Sequence, residues 1–384
     1  MKTGVLILSP TIFPDVGGVE THLFDLIKEV RKERDLEAYA FSYKPIVTEV
    51  DDYLPREAEG NVIIRRYWWF GHNLFHKLRN HPVLLLLYMA PYLGFRVFLF
   101  LLTHASRIKV IHVHGIMMAA VGLLLGRLFG KRVVMQTHAL YGFQTGSLYA
   151  RFCGSLIAKM DAVLALCGES KRELERIGVP SGIIQEYRYW VDLEIFKPRN
   201  RAQSRQELGW KDAFTVLFVG RLIRIKGADV VCQLAARMPH IRFVIVGDGP
   251  DKESVVEAAF RLDNLVYSGR ALNARLPVYY SAADVTIVPS QYAEGYGRVI
   301  PESLACGTPV VATNAGGIPD AMDGTVGVLC GMEVAGYQEA LVRLSENRDL
   351  YECMRRNARP YALAHNGPQN ASVIFSQYRM RSGE

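Results

Sequence analysis

The chain has 384 residues, of which 50 % are apolar and 22 % are charged. This length exceeds the roughly 250–300 residues that one hydrophobic core usually holds, so it predicts two domains. The composition excludes a disordered or low-complexity protein. Of the net charge of +7, most lies in residues 1–200, which carry 25 Lys and Arg against 19 Asp and Glu. No nucleic-acid-binding motif accompanies this charge, so an anionic membrane surface is the better partner for it.

The six cysteines are scattered along the chain and form no Cys-x-x-Cys pair. No histidine cluster lies at metal-ligand spacing either, so we expect neither a disulfide framework nor a zinc site. This usage predicts buried thiols in a reducing, cytoplasmic compartment. The N-terminus has one lysine and a short apolar run, which is too short for a signal peptide and is interpreted as a first buried strand.

Short apolar runs alternate with longer helix-like stretches along the whole chain. Runs that are β-branched and apolar throughout are typical of parallel strands covered on both faces. Because strands and helices alternate in two successive series, the sequence predicts an α/β fold with two doubly wound domains. The predicted strands are residues 5–9, 38–42, 110–113, 133–137, 216–219, 243–246, 285–288 and 310–312.

A polar, proline-containing stretch at residues 197–201 separates the two series of strands. We therefore predict a first domain over residues 1–197 and a second domain over residues 198–365. Residues 372–381 have helical character. They predict a C-terminal helix, within residues 366–384, that packs back on the first domain.

Residues 82–103 depart from the α/β pattern, because Arg96 is their single charge. The stretch is long enough to span a bilayer. However, Pro91 and Gly94 interrupt it, and Arg96 near its middle would cost roughly 2.5–3.5 kcal/mol on insertion. We expect a pair of buried or interfacial helices instead of a membrane span.

A basic and aromatic segment, RRYWWF at residues 65–70, precedes this stretch and is followed by Lys77 and Arg79. Amphipathic anchors at anionic interfaces use this mixture of residues. Residues 65–103 are therefore a candidate membrane-docking region. An ordinary core with a solvated loop accounts for the same residues equally well.

The first candidate site is the loop after the first strand, which contains Gly17 and Gly18. Two glycines let the backbone approach a ligand closely, and the helix predicted from Val19 directs its amide groups toward the same gap. A tight turn without a ligand explains the pair as well.

Two cations follow the first strand of the second domain, Arg221 and Lys226. They lie on either side of a strand-to-helix turn, so both can converge on one anion, and a diphosphate is the obvious match. The alternative is a solvated basic turn, but the carboxyl end of a parallel strand favours a site. A glycine turn with Gly247 follows the next strand and is a weak dinucleotide fingerprint, because no third glycine comes at the required spacing.

The segment EGYGRVIPE places Glu294 and Glu302 around a glycine loop and a predicted helix start. Their spacing alone means little, since three other glutamate pairs in the chain share it. The context matters more: Glu294 follows a buried strand, and Glu302 lies about one turn into the helix. A carboxylate there can accept both hydroxyls of a ribose, and the helix-start amides suit a phosphate or a sugar hydroxyl.

Together these segments resemble the retaining glycosyltransferases of family 4, which have the GT-B fold. The matching segments follow the family's order: GGVE at 17–20, FVGRLIRIKG at 218–227, VGDGP at 246–250, and a block from 283 to 320. The likeness covers most of residues 1–330 and is most specific over residues 294–320. It implies two Rossmann-like domains facing a central cleft, with the acceptor on the first domain and the nucleotide-sugar donor on the second.

The resemblance also implies a role for each matching residue. Arg221 and Lys226 would bind the donor diphosphate and offset the charge of the leaving nucleotide, and Glu302 would hold the ribose hydroxyls. Glu294 and His138 would face the donor sugar, so the catalytic set would be His138, Glu294, Arg221 and Lys226. Gly17 and Gly18 would close over the phosphate. Further donor contacts, mostly through backbone groups, would come from Gly247, Arg270, Ala271, Leu272, Gly295, Tyr296, Gly297 and Arg298.

Two features of this assignment stay open. A strand-end histidine such as His138 is also explained by a structural hydrogen bond, and His112 and His114 are expected to orient loops. The sequence also departs from the family's pattern at Tyr189-Trp190, where Asn-Gly is common. Arg298 and Pro301 likewise replace residues that are often apolar.

The predicted activity is the transfer of a sugar from a UDP- or GDP-sugar to a hydroxyl of a glycan or lipid-linked acceptor, in cell-surface polysaccharide or glycolipid synthesis. Family members retain the anomeric configuration and need no metal, and this chain lacks an Asp-x-Asp signature, so we expect no metal and no cofactor. The expected location is the cytoplasm, with peripheral contact at the inner face of the cell membrane. The alternatives are a nucleotide-sugar 2-epimerase of the same fold and a non-catalytic nucleotide-sugar-binding subunit.

Overall fold

The computed structural model describes residues 2–15, 17–46, 52–71, 74–78 and 81–380. It divides into two compact units, Met1–Tyr187 with Gln369–Glu384, and Arg188–Pro368. Each unit is built on one sheet whose strands are parallel, apart from one antiparallel pair at the edge of the first sheet. The predicted α/β class with two doubly wound sheets is confirmed, and each of the eight predicted strands corresponds to a strand of the structure.

The first unit has an eight-stranded sheet in the order β3-β4-β2-β1-β5-β6-β7-β8. Crossover connections between parallel strands are right-handed. The helices α3 to α6 all connect strands in the same direction along the sheet and therefore cover one face. Helix α1 connects strands in the opposite direction and covers the other face. The strands are β1 Thr3–Leu8, β2 Leu36–Tyr43, β3 Arg56–Glu59, β4 Val62–Tyr67, β5 Ile108–His114, β6 Arg132–Gln136, β7 Ala162–Ala165 and β8 Ile184–Glu186. The helices are α1 Gly18–Lys32, α2 Leu74–Lys77, α3 Pro82–His104, α4 Ala119–Phe129, α5 Leu148–Ile157 and α6 Gly168–Arg176.

The second unit has a six-stranded parallel sheet in the order β11-β10-β9-β12-β13-β14. Its strands are β9 Thr215–Val219, β10 Arg242–Val246, β11 Leu265–Tyr267, β12 Val285–Val288, β13 Val310–Thr313 and β14 Gly327–Cys330. Its helices are α7 Arg201–Glu207, α8 Ala228–Arg237, α9 Lys252–Arg261, α10 Leu276–Ala282, α11 Val299–Ala305, α12 Ile318–Ala321, α13 Val334–Glu346 and α14 Arg348–His365. These strands are buried almost throughout, so both faces of the sheet are covered, as continuous apolar runs require.

The division between the units lies between Tyr187 and Arg188, ten residues before the boundary expected from the polar stretch. The residues in between are bound by the second unit. The amide of Val191 donates to the Asn366 carbonyl at 3.0 Å, and Arg359 donates to the Phe196 carbonyl at 2.6 Å. Backbone hydrogen bonds therefore locate this boundary more closely than composition does.

The last helix, α15 (Ala371–Arg379), belongs to the first unit although the second unit precedes it in sequence. The hydroxyl of Tyr378 lies 2.6 Å from Nδ1 of His112 on β5, in the buried core. Arg132 donates to the side-chain oxygen of Gln377 at 3.0 Å, and Arg379 pairs with Asp35 at 2.8 Å. The chain thus returns to its first unit through buried and surface polar contacts.

Residues 82–104 form one continuous helix, α3, which corrects the expected pair of shorter helices. Pro91 lies on the exposed side of α3, where the hydrogen bond that a proline removes is not buried. Gly94 packs against α4, because a Cβ atom there would lie 2.9 Å from a methyl group of Val121. The glycine therefore serves close helix packing and does not end the helix.

Candidate active site

The candidate residues of the second unit lie at the carboxyl edge of its sheet, around neighbouring strands β9 and β12. From β9 the chain first proceeds outward through β10 and β11 and then returns to β12 on the other side. The strand order therefore reverses between β9 and β12, and such switch points are where ligands bind in open α/β sheets. Arg221 and Lys226 follow β9, and Glu294 follows β12.

An ion pair joins the two loops at this switch point. The ammonium of Lys226 lies 2.8 Å from Oε1 of Glu294, which also accepts a hydrogen bond from the Ser290 hydroxyl. The carboxylate is buried, whereas the lysine side chain is 27 % exposed. Burial lowers the pKa of Lys226, but the charge of Glu294 and the nearby Tyr292 raise it further, so the net shift is upward. A fixed positive charge thus lies at the strand ends, next to solvent.

Gly227 makes the approach of the β9 loop to the β12 loop possible. It has a φ of +76°, and a Cβ atom there would lie 2.1 Å from the carbonyl oxygen of Pro289. The Gln291 amide also donates to the Ile225 carbonyl at 2.8 Å, which ties the two loops together directly. Only glycine fits such a close contact, so the position of Lys226 follows from the residue after it.

The glycine turn after β10 supports the loop that carries Arg221. A Cβ atom at Gly247 would lie 1.8 Å from the carbonyl oxygen of Gly220, and one at Gly249 would lie 2.4 Å from that of Leu222. The Leu222 amide donates to the Asp248 carbonyl at 2.8 Å. The glycines at this turn therefore allow two backbones to pack, and Gly247 lies directly behind the predicted phosphate loop.

A second glycine loop, after β13, holds the backbone of Glu294. The Gly317 amide donates to the carbonyl of Glu294 at 2.7 Å, and a Cβ atom at Gly316 would lie 2.3 Å from the same oxygen. This loop belongs to the family-like block of the sequence, but its contact with Glu294 was not predicted. The carboxylate that pairs with Lys226 is therefore fixed through its backbone as well as through its side chain.

Glu302 lies on α11, and its neighbours include Tyr280 and Arg298. Its Oε2 accepts a hydrogen bond from the Tyr280 hydroxyl at 2.9 Å, and Nε of Arg298 lies 3.5 Å from its Oε1. Burial and then the charge of Glu302 raise the pKa of Tyr280 well above its usual value, so this hydroxyl stays a donor. The predicted role of Glu302 in holding ribose hydroxyls stays a prediction.

Arg298 contacts Trp190, and both residues depart from the family's pattern. Its Nη1 donates to the carbonyl of Trp190 at 3.2 Å, while its Nε faces Glu302. Trp190 is fully buried. The unusual arginine thus links the 189–190 segment to the helix that carries Glu302. Trp190 was predicted only as a departure from the family's pattern, and neither its contact with Arg298 nor that of Tyr280 with Glu302 was predicted.

The other predicted donor-site residues of the second unit are distributed over the same edge of the sheet. Arg221 is exposed in the loop after β9, and Arg270, Ala271 and Leu272 follow β11, with Arg270 and Leu272 exposed. The loop after β12 contributes Gly295, Tyr296 and Gly297. The Tyr296 side chain points inward and accepts a hydrogen bond from Asn366 at 2.9 Å, so only its backbone is positioned for a ligand.

His138 lies in the first unit, two residues after β6, within a group of histidines. Its Nε2 is 2.9 Å from Nδ1 of His114, and its ring centroid is 5.6 Å from that of His22. Burial lowers the pKa of His138 to about 3, so the ring is neutral at physiological pH. His114 and His112 were both expected to orient loops. His114 contacts His138 in the loop after β6, whereas His112 contacts Tyr378 of helix α15.

Gly17 and Gly18 are located at the carboxyl end of β1, where α1 begins. A Cβ atom at Gly17 would lie 2.3 Å from Oε2 of Glu20, whose other oxygen accepts a hydrogen bond from Thr11 at 2.6 Å. The absence of a side chain at Gly17 therefore makes room for the Glu20 carboxylate. The predicted closure of Gly17 and Gly18 over a phosphate stays a prediction.

Two protein families match the chain, one on each unit. The family described as "Glycosyltransferase Family 4" matches residues 16–194, and "Glycosyl transferases group 1" matches residues 200–361. The chain belongs to glycosyltransferase family 4. The predicted resemblance is thereby confirmed, and it extends over the first unit, where the sequence motifs are sparser.

A curated relative supports the family membership over part of the chain. The D-inositol 3-phosphate glycosyltransferase of Mycobacterium tuberculosis is 35 % identical over 209 residues. This match covers 50 % of the chain and 43 % of the relative, so the chain matches less than half the length of this relative.

Solved structures with high similarity establish the fold. Sucrose-phosphate synthase of Thermosynechococcus elongatus superposes with a TM-score of 0.80 at 22 % identity, covering 98 % of both chains. HepE of Anabaena, solved in complex with UDP, gives 0.76 at 20 % identity and covers 98 % of this chain and 99 % of that one. The expected GT-B fold is therefore confirmed for this family 4 protein.

Proposed function

We propose that this family 4 protein transfers a sugar from a nucleotide-sugar donor to a hydroxyl group of an acceptor. The observation that carries the proposal is the Lys226–Glu294 pair at the switch point of the second sheet. The Lys226 ammonium suits the diphosphate of the donor, and the Glu294 carboxylate can accept hydrogen bonds from the hydroxyl groups of the sugar. The UDP complex of HepE, which shares this fold, supports a nucleotide diphosphate as the ligand.

In the proposed reaction, the bond between the anomeric carbon and the diphosphate oxygen breaks while the acceptor oxygen bonds to that carbon. The proton of the acceptor hydroxyl passes to the leaving diphosphate on the same face, so the anomeric configuration is retained. Arg221 and Lys226 stabilise the charge that develops on the diphosphate. Glu294 holds hydroxyl groups of the sugar, and Glu302 holds the ribose. The proposed reaction uses no metal ion.

The proposed acceptor is a glycan or a lipid-linked sugar, in the synthesis of a cell-surface polysaccharide or glycolipid.

A cytoplasmic location fits the free thiols. Four cysteines are buried as expected, but Cys232 is half-buried and Cys353 is exposed, which corrects the expectation that all are buried. An exposed thiol keeps its reduced form most readily in a reducing compartment.

The decisive experiment screens the purified protein for thermal stabilisation by UDP, GDP and ADP and then by their sugars. The base that stabilises best identifies the donor, and turnover is measured with that labelled donor, with and without glycolipid acceptors. Inositol phosphate serves as a comparison acceptor, because the M. tuberculosis relative is named for it. An epimeric sugar formed without acceptor would contradict the transferase in favour of an epimerase. Donor binding without any hydrolysis or transfer would indicate a non-catalytic subunit.

A further inference from the structure

Acidic residues are completely absent from residues 60–160, which carry twelve Lys and Arg. The rest of the chain has 33 Lys and Arg against 38 Asp and Glu, so it is slightly acidic. Mixed charges are the rule on protein surfaces. A segment of 101 residues with one sign of charge favours an anionic partner wherever its charges are exposed.

The same segment contains a helix with an apolar outer surface. On α3, the exposed side chains Leu84, Leu87, Phe95, Leu99 and Leu102 follow one another at intervals of three or four residues, with Pro91 between them. They form one stripe along the outside of the helix. A surface helix of a water-soluble domain normally carries polar residues on this side.

The neighbouring helices extend this stripe. Leu124 and Leu128 are exposed on α4, and Leu148 and Phe152 are exposed on α5. On the same layer of helices, the next helix α6 is polar outside, where Arg172 and Arg176 pair with Glu169. The exposed apolar side chains of α3, α4 and α5 therefore define a bounded surface, which we call the apolar face.

An apolar recess lies within this face. It has a volume of about 90 Å³ and lies between α3, α4 and α5. Its walls are mostly hydrocarbon, with Val83, Leu86, Met117, Phe152 and Leu156 among them, and Tyr149 and Cys153 also line it. The face is therefore contiguous with a space that suits alkyl groups and offers few partners for polar ones.

The apolar face lies on a folded unit and does not cross a membrane as a separate helix. Residues Val83–His104 are long and apolar enough to span a bilayer, but the inner side of α3 packs into the core of the unit. Met89, Leu93, Val97 and Leu101 are fully buried there. Only the outer side of α3 is available to lipid, which is the arrangement of a protein that lies in the interface.

The basic and aromatic segment before α3 contributes aromatic side chains more than charge. Trp68 and Phe70 are exposed after β4, and the ammonium of Lys44 lies 5.4 Å from the Trp68 ring. Arg66 is buried and donates to the carbonyl of Phe13, while Arg65 lies over aromatic rings. Lys77 is exposed, and Arg79 lies outside the described residues. Tryptophan is enriched where membranes meet water, which fits the position of Trp68.

We propose that the first unit docks on the surface of an anionic lipid bilayer through the apolar face, with the helices α3, α4 and α5 lying in the interface. The exposed Arg127 and Arg151 stand beside the apolar side chains, where they can meet lipid phosphates. A second copy of the chain would bring the same positive charge against this face, whereas an anionic bilayer complements both its charge and its hydrocarbon surface. This inference does not depend on the proposed transfer reaction.

The test is co-sedimentation of the full chain with vesicles. Vesicles of phosphatidylcholine alone are compared with vesicles that also contain phosphatidylglycerol, at low and at raised salt. The protein is expected to bind the anionic vesicles, and raised salt is expected to weaken binding without abolishing it. The variant Leu87→Ser/Phe95→Ser/Leu99→Ser is expected to bind at least roughly tenfold more weakly, because three apolar side chains no longer enter the interface.

The matched control replaces exposed apolar residues of the second unit, in Val256→Ser/Phe260→Ser; Phe260 is 93 % exposed. This control should bind vesicles as the unchanged protein does. If the triple variant does not fold, as judged by circular dichroism, the single variant Phe95→Ser is tested in its place.

Absence of binding by the unchanged protein, or equal binding by the triple variant, would overturn the proposal. A stable dimer that the triple variant dissociates, with no vesicle binding, would instead assign the face to a second copy. Stabilisation by the donor nucleotide, measured in parallel, reports on the proposed function separately.

Discussion

Replacing Lys226 with alanine is expected to affect both donor binding and the stability of the second unit, for different reasons. The variant loses the proposed charged donor to the diphosphate, and a hydrogen bond to a charged group is worth about 1.5–3 kcal/mol. The dissociation constant for the nucleoside diphosphate should therefore rise roughly 10- to 150-fold. Isothermal titration calorimetry with the best-binding nucleotide measures this change directly.

The stability effect comes from the partner that the substitution leaves behind. Glu294 is buried, and without Lys226 its charge would be held by the Ser290 hydroxyl with no cation beside it. Breaking a fully buried pair costs about 3–5 kcal/mol. Because the Lys226 side chain is 27 % exposed, solvent screening reduces this, and we expect about 1–3 kcal/mol. At about 2–4 °C per kcal/mol for a unit of this size, Tm should fall by roughly 2–12 °C.

The double variant Lys226→Met/Glu294→Gln separates the two effects. Removing both charges eliminates the buried unpaired carboxylate, so Tm should recover most of its loss, whereas nucleotide affinity should stay low. Lys211→Ala is the matched control, since this lysine is exposed before β9, at the other end of the strand, and should change neither quantity. If Lys226→Ala bound the nucleotide as tightly as the unchanged protein, the assignment of the β9 loop to the diphosphate would be wrong.

Three further predictions follow from the same contacts. Gly227→Ala should lower Tm and nucleotide affinity strongly, because its Cβ atom would meet the Pro289 carbonyl at 2.1 Å; Gly209→Ala, with a similar positive φ and open space, should cost only about 1–2 kcal/mol. Tyr378→Phe should destabilise the first unit by about 1–3 kcal/mol in urea unfolding, since His112 loses its partner, and unchanged stability would contradict this role of α15. Stability should also fall in acid. Burial lowers the pKa of His112 and of His138 to about 3, so the unfolded chain binds more protons below pH 6.5. Between pH 7.5 and pH 5 each of these two histidines should lower the free energy of unfolding by about 2 kcal/mol. A urea midpoint that is unchanged over this range would refute the conclusion that both rings are neutral when the protein is folded.

The strands of both sheets could be predicted from the sequence because a parallel strand with both faces covered leaves a continuous apolar signal. Residues 216–219 and 285–288 show this directly: both runs are apolar or β-branched, and both are strands at the centre of the second sheet. Helix ends carried less information. Pro91 and Gly94 are breaking residues by propensity, yet α3 continues through them, because one lies on the exposed side and the other packs on Val121. Tertiary packing decided that outcome, and no local pattern reports it.

The candidate site was predictable to the level of loops and not of atoms. Arg221, Lys226 and Glu294 could be placed at one sheet edge, because the carboxyl ends of parallel strands share an edge. The bond between Lys226 and Glu294 could not be read from the sequence, since 68 residues separate them. Nor could the partners Tyr280 of Glu302 or His114 of His138, which are supplied by other elements of the fold. Side-chain partners depend on packing that a linear pattern does not encode.

The glycines show how these two levels are connected. Gly247 was predicted as a turn residue, whereas Gly227 and Gly316 were only part of the segments that carry the family resemblance. In the structure each lies where another backbone passes closer than a Cβ atom would allow, at 2.1, 1.8 and 2.3 Å. Each therefore fixes the distance between two strand-end loops, and those loops carry Lys226, Arg221 and Glu294. The charged residues carry the proposed chemistry of the site, and the glycines allow the loops that hold these charges to meet at one edge of the sheet. The spacing of eight residues between Glu294 and Glu302 contains none of this information.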